Sequence, residues 1–119
     1  MKENIIKDKS FKFAVRIVNL CKFLRDEKKE YDISKQLCHS GTSIGANVRE
    51  ALRAVSKKDF ANKMGIALKE ASESEYWLEL LYATKYLDKK QFESIIADCS
   101  EINKVLTAIV KKSNEDTEQ

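Results

Sequence analysis

The chain has no proline, three glycines, one histidine and one tryptophan in 119 residues. Without proline, nothing removes a backbone donor or wedges a helix apart, and abundant Lys, Glu, Ala and Leu favour long helices with short connections. A single histidine, His39, excludes a di-metal carboxylate site of the bundle type, which needs Glu-x-x-His on two helices. It also leaves Ser40, Thr42 and Ser43 without a hydrolytic triad, because adjacent helix positions do not face each other and no third orienting group is apparent. No apolar run approaches the roughly 20 residues that span a bilayer. The stretch Met1–Asp8 lacks the apolar core and small-residue cleavage site of a signal peptide. A cytoplasmic location without membrane contact is therefore expected. The cysteines (Cys21, Cys38, Cys99) are odd in number and form no CxxC. Each lies on or beside an apolar helical stripe and is expected as a free thiol packed like a small hydrophobe. No metal or cofactor site is expected, and no small-molecule substrate.

What remains is one domain's length of amphipathic sequence, 43% hydrophobic and 34% charged. The first helix is expected from about Lys9 or Ser10 to Lys29, after a frayed lead-in. Phe13, Ile17, Leu20 and Leu24 form its face, widened by Ala14, Val18 and Cys21. Asp32 is placed to cap the second helix, whose face runs Ile33, Leu37, Gly41, Ile44, Val48, Ala51 and Val55. The helical spacing continues through both glycines, although each costs about 1 kcal/mol relative to alanine. Gly41 and Gly45, flanked by Ser40 and Ala46, would form a groove for close approach of another helix. The small centre of the third helix (Ala67, Ala71, Ser74) is the expected counterpart. A phosphate loop is excluded here, since no lysine follows Gly45 and no strand precedes the segment.

Ser56 with Asp59 reads as a capping box for the third helix. Its seam is Phe60, Met64, Ala67, Ala71, Ser74, Leu78 and Leu81. A second stripe (Ile66, Glu70, Glu73, Trp77, Leu80, Thr84, with Tyr76 adjoining) exceeds what one apolar face requires, and points to burial against another subunit, the alternative being that Trp77 wraps around the edge of the subunit's own core. Asp88 and Gln91 form a second capping box, opening a fourth helix with face Phe92, Ile95, Cys99, Ile102, Leu106 and Ile109. The expected fold is all-α, an antiparallel up-down-up-down four-helix bundle over residues 9–112, with a flexible acidic tail at 113–119. Arg49 and Arg53, one turn apart, face Glu75 and Glu79 in a proposed ladder between the second and third helices or across a subunit boundary. The contact set for assembly is thus Arg49, Arg53, Glu73, Glu75, Tyr76, Trp77, Glu79 and Leu80.

The net charge is +3, but residues 1–112 carry 22 basic against 16 acidic side chains. Lys12, Arg16, Lys22 and Arg25 lie away from the centre of the first helix's apolar face and are the candidate phosphate contacts. No RNA-recognition aromatic signature is present, so little sequence specificity is expected.

Two blocks carry a resemblance. They are Gln36-Leu37 with Ser40-Gly41-Thr42-Ser43-Ile44-Gly45-Ala46-Asn47-Val48-Arg49-Glu50-Ala51, and Asp59-Phe60 with Lys63–Ala71 and Glu73–Leu81. Together they resemble the bacterial four-helix bundle family first noticed as products of intervening sequences in 23S ribosomal RNA genes. The resemblance implies a small subunit assembling into a homo-oligomeric ring, typically a pentamer, with no catalytic residues. It also implies kinship with the accessory factor of diversity-generating retroelements, which engages nucleic acid and a reverse transcriptase through a basic ring surface. Two functions are weighed. One is a non-enzymatic oligomeric module binding RNA or DNA through basic helix faces, with avidity from repeated copies. The other is a protein-interaction scaffold or accessory subunit without nucleic-acid contact, compatible with the mixed charge of the third helix and the acidic tail.

Overall fold

The computed structural model describes residues 2–117 as four helices: α1 (Lys2–Asp26), α2 (Asp32–Leu52), α3 (Lys57–Ala83) and α4 (Lys89–Thr117). They form a prism of 50 × 21 × 21 Å. Consecutive helices pack against one another, and α1 closes the square against α4. One core runs through the centre, with Phe13, Ile17 and Leu24 of α1, Leu37, Ile44 and Val48 of α2, Met64, Leu78 and Leu81 of α3, and Ile102 and Leu106 of α4 all fully or almost fully buried. The core positions follow the stripes of the sequence because a 3.6-residue repeat returns positions three and four apart to the same face.

Helix α1 begins well before the expected start. Ile6 is fully buried, seven residues before Phe13 on the same stripe, so the first residues are a working turn and not a lead-in. Helix α4 likewise continues into the expected tail. Ser113 is buried and its hydroxyl donates to the Ile109 carbonyl at 2.7 Å, and the helix runs to Thr117. Glu118 and Gln119 lie outside the described residues. Helix α2 ends earlier than expected, and Val55 is 94% exposed. Ser56 must take an extended backbone (φ −153°, ψ 163°) for its hydroxyl to accept from the Asp59 N–H, so the chain leaves the helix between Leu52 and Ser56. Val55 falls in that crossing.

Asp32 does not cap α2. Its neighbour Tyr31 is already helical in backbone and makes no side-chain cap. The capping group is the buried Glu30, whose two carboxylate oxygens accept from the N–H groups of Ile33 (2.9 Å) and Ser34 (2.7 Å). A longer side chain one turn earlier satisfies two of the free donors at once. The second box is complete: Asp88 and Gln91 exchange bonds of 2.9 and 2.7 Å between side chains and backbone N–H groups.

The glycine groove receives α1, not α3. A Cβ on Gly41 would stand 2.8 Å from both γ-carbons of Ile17, and one on Gly45 would stand 3.5 Å from the Ser10 carbonyl oxygen. The small centre of α3 meets Ser40 instead, whose Oγ lies 2.9 Å from Ser74 Oγ. One residue along a helix turns the side chain by about 100°, which is enough to send Ser40 and Gly41 to different neighbours.

Candidate nucleic-acid interface

The four basic residues chosen on α1 do not form one surface. Arg16 is held in the seam with α4. Its Nη1 donates to Asp98 Oδ2 at 2.6 Å and its Nη2 to Ser94 Oγ at 2.9 Å. Lys9 is ion-paired with Glu101 in the same seam, and Lys12 lines a small cleft with Asp98 and Glu101. Basic and acidic groups alternate there, so this half of the set offers phosphate little net attraction. Lys22 is exposed near the other end of α1, with Arg25 half-buried beyond it.

That end is where basic and aromatic side chains converge. A cleft of about 560 Å³ is lined by Phe23 of α1 and Lys28 just after it, Tyr82 at the end of α3, Lys85, Tyr86 and Asp88 of the α3–α4 turn, and Gln91. Lys28 Nζ stands 5.8 Å from the centre of the Phe23 ring, and Tyr82 stacks on Phe92 at 4.3 Å with 6° between the planes. Both helix exits at this end use a lysine in the left-handed backbone region, Lys29 (φ 55°) and Lys85 (φ 70°). At Lys85 the reason is a Schellman closure: the Tyr86 N–H donates to the Leu81 carbonyl and the Lys85 N–H to that of Tyr82. Glycine is the residue such positions favour, and lysine there costs about 1–2 kcal/mol. The cluster escaped a helix-by-helix sequence reading because its halves are far apart in the chain. Its local trace was the run Tyr82 to Tyr86, two aromatics around a lysine.

The expected arginine–glutamate ladder does not form within the chain. Glu50 pairs with Lys63 at 3.2 Å and Ser40 meets Ser74, so Arg49 and Arg53 lie roughly 20 Å along the axis from Glu75 and Glu79 at 1.5 Å per residue. Glu75 and Glu79 turn instead toward α4. Their charges add to the burial that pushes the Cys99 thiol up to about 12. Burial likewise pushes Cys21 up to about 12, with the neighbouring Cys38 adding to the effect. The Cys21 thiol donates to the Ser34 carbonyl at 3.3 Å. Arg53 is exposed where α2 ends, and Arg49 lies over the Phe11 ring at 5.3 Å. On α3, the Trp77 ring packs against the core while its indole N–H donates to Glu73 at 3.2 Å. Tyr76 meets Trp77 edge-on and is 57% exposed, and Leu80 is half-buried.

Among the described residues, no three His, Cys, Asp or Glu side chains converge as metal ligands, and no helix is long and apolar enough to cross a membrane. A family model described as 23S rRNA-intervening sequence protein matches residues 2–108. The chain belongs to this family. Among solved structures, the chain is similar to a protein of unknown function from the S23 ribosomal protein family of Bacteroides thetaiotaomicron VPI-5482. The two are 62% identical with a TM-score of 0.91, and the match covers 93% of this chain and 99% of that one. No curated protein matches the chain.

Proposed function

We propose that this family member is a non-enzymatic, cytoplasmic module whose helices run antiparallel, up-down-up-down, and whose copies assemble into a homo-oligomeric ring that binds RNA or DNA. The descending pairs Gly45 with Ser10 and Ser34 with Cys21 support the antiparallel order. The resemblance favours a pentamer. The observation that carries nucleic-acid binding is the loop-end cleft. Lysines 28 and 85 flank aromatic faces on which bases can stack, and with Lys22, Lys29, Lys89 and Lys90 they outnumber the exposed Asp26, Glu27, Asp32 and Asp88 at the same end. A ring repeats this end on one side of the assembly, so weak contacts add through avidity. Phosphate contact is assigned to that end and not to Arg16.

Light scattering of the purified chain, followed by titration of RNA and DNA oligonucleotides across a salt series, tests both parts. Lys28→Ala and Lys85→Ala should each reduce the slope of log K against log salt by about 0.7 on single strands, while Arg16→Ala leaves it nearly unchanged. Binding that is absent at low salt, or flat across salt, overturns nucleic-acid binding. A monomer overturns the ring. The ion-paired seam of Lys9, Arg16, Asp98 and Glu101 favours the second function, a protein-interaction scaffold, and an oligomer that binds no nucleic acid would leave that reading in place of the first.

A further inference from the structure

Building on the ring assembly proposed above, we infer that each subunit lays the α1 face bearing Phe11, Val15 and Val18 on its neighbour's α3 stripe from Glu70 to Trp77, and that Arg49 supplies the cation that Glu70 lacks. Each subunit exposes both halves of this contact. Phe11 is 55% and Val15 47% exposed, and with Ala14, Val18 and Asn19 they line a shallow groove of about 270 Å³. On α3, Tyr76 is exposed beside Trp77, and Ile66 is exposed on the same stripe about 16 Å away. Glu70 Oε2 is buried and accepts no hydrogen bond. A buried carboxylate oxygen without a partner is costly, and because Glu70 is only half-buried as a residue, its carboxylate can turn outward to a cation supplied from outside the subunit. Arg49 is exposed on the Phe11 ring and, among the described residues, makes no ion pair. The carboxylates of Glu70 and Glu73 disfavour phosphate on the α3 stripe, which makes a second copy of this chain the fitting occupant.

The two faces match in height. Ser10 lies beside Gly45, Cys21 beside Ser34, and Ser74 beside Ser40. Stepping from these pairs at 1.5 Å per residue puts Phe11 and Glu70 at one level, about 1.5 Å from Gly45, and Val18 and Trp77 at another, about 12 Å away. Arg49 starts on the far side of Gly45, but helical side chains lean toward the N-terminus, and its guanidinium reaches the level of Phe11. In a closed ring whose bundle axes run parallel to the ring axis, all copies share one axial level, and Arg49 and Phe11 then meet Glu70 while Val18 meets Trp77. The faces differ, so the contact is head-to-tail. Both border α2, through Arg49 over Phe11 and Ser40 against Ser74. A head-to-tail contact closes into a ring only where its rotation closes, which is what the ring proposed above requires of it.

Sedimentation equilibrium of the wild type, Arg49→Glu, Glu70→Lys and the double variant R49E/E70K tests the contact. Each single reversal should raise the subunit dissociation constant by roughly 10–100-fold, and the double variant should recover most of the loss. Phe11→Asp and Tyr76→Asp alter side chains exposed in the single subunit. Both should weaken assembly with helical circular dichroism unchanged, which keeps the test intact if a change at Glu70 impairs folding. An oligomeric wild type whose mass survives these single substitutions overturns the contact and leaves the ring standing. A monomeric wild type overturns both.

Discussion

Replacing each glycine by alanine in turn separates helix propensity from packing, because the three sites differ only in what the new methyl would meet. All three glycines are helical, so each replacement should gain about 1 kcal/mol from propensity. At Gly65 nothing stands within 4 Å of the added Cβ, and at Gly45 the nearest atoms are at 3.5 Å, an ordinary contact. Gly65→Ala should therefore stabilise by about 1 kcal/mol, and Gly45→Ala by a similar amount. At Gly41 the methyl would meet both γ-carbons of Ile17 at 2.8 Å and its Cβ at 3.2 Å. Ile17 is fully buried and, being β-branched in a helix, has essentially one rotamer. It cannot swing aside, so α1 and α2 must separate. Such overpacking costs about 1–3 kcal/mol. Gly41→Ala should then fall about 1–3 kcal/mol below Gly65→Ala, or roughly 4–12 °C in Tm for a domain of this size. Urea unfolding followed by circular dichroism at one fixed protein concentration measures the differences without an assembly term. Ile17→Ala supplies the control. It should cost less in the Gly41→Ala background than in wild type, because the two changes share one contact. A Gly41→Ala chain as stable as Gly65→Ala would refute the close approach of α1 to α2.

Glu30→Ala removes the acceptor of two N–H groups at the start of α2 and should cost about 1–2 kcal/mol in urea unfolding, whereas Asp32→Ala should change stability by less than half as much. Lys85→Gly relieves a left-handed lysine and should stabilise by about 1 kcal/mol in the same assay. Stability should also fall in alkali. Cys21 and Cys99 stay protonated in the folded chain up to about 12, against an ordinary thiol value of 9.0. Above pH 9 the unfolded chain loses protons that the folded chain keeps, so unfolding becomes easier as pH rises from 9 toward 12. Thermal melts across that range should show the decline, and a double Cys21→Ala, Cys99→Ala variant should show less of it.

The helices and the core were legible because both follow from a repeat that any window of the sequence displays. Phe13, Ile17 and Leu24, or Met64, Ala67 and Ala71, need no knowledge of a neighbour to be assigned inward. Helix ends were less legible. The extra turn at Ile6 was visible as one more heptad step from Phe13, but Glu30 became the cap of α2 only because Lys29 turns left-handed before it, a backbone choice without a glycine to announce it.

Pairing between helices was the least legible, and the charged residues show why. A polar side chain on a helix is placed outside by its own sequence, but whether its charge is free depends on the helix beside it. Asp98 and Glu101 are three apart on α4, hence on one face, and they sit against Lys9, Lys12 and Arg16. Counting basic residues on α1 alone overstated the charge available there. The reverse error occurred at the loop end, where Lys28 and Lys85 belong to separate turns and neither looked unusual. The same dependence explains the glycine groove. Gly41 and Ser40 are sequence neighbours of similar size, yet one admits Ile17 of α1 and the other meets Ser74 of α3. Small residues state that a helix will come close, and only the angular position of each within the square states which helix it is.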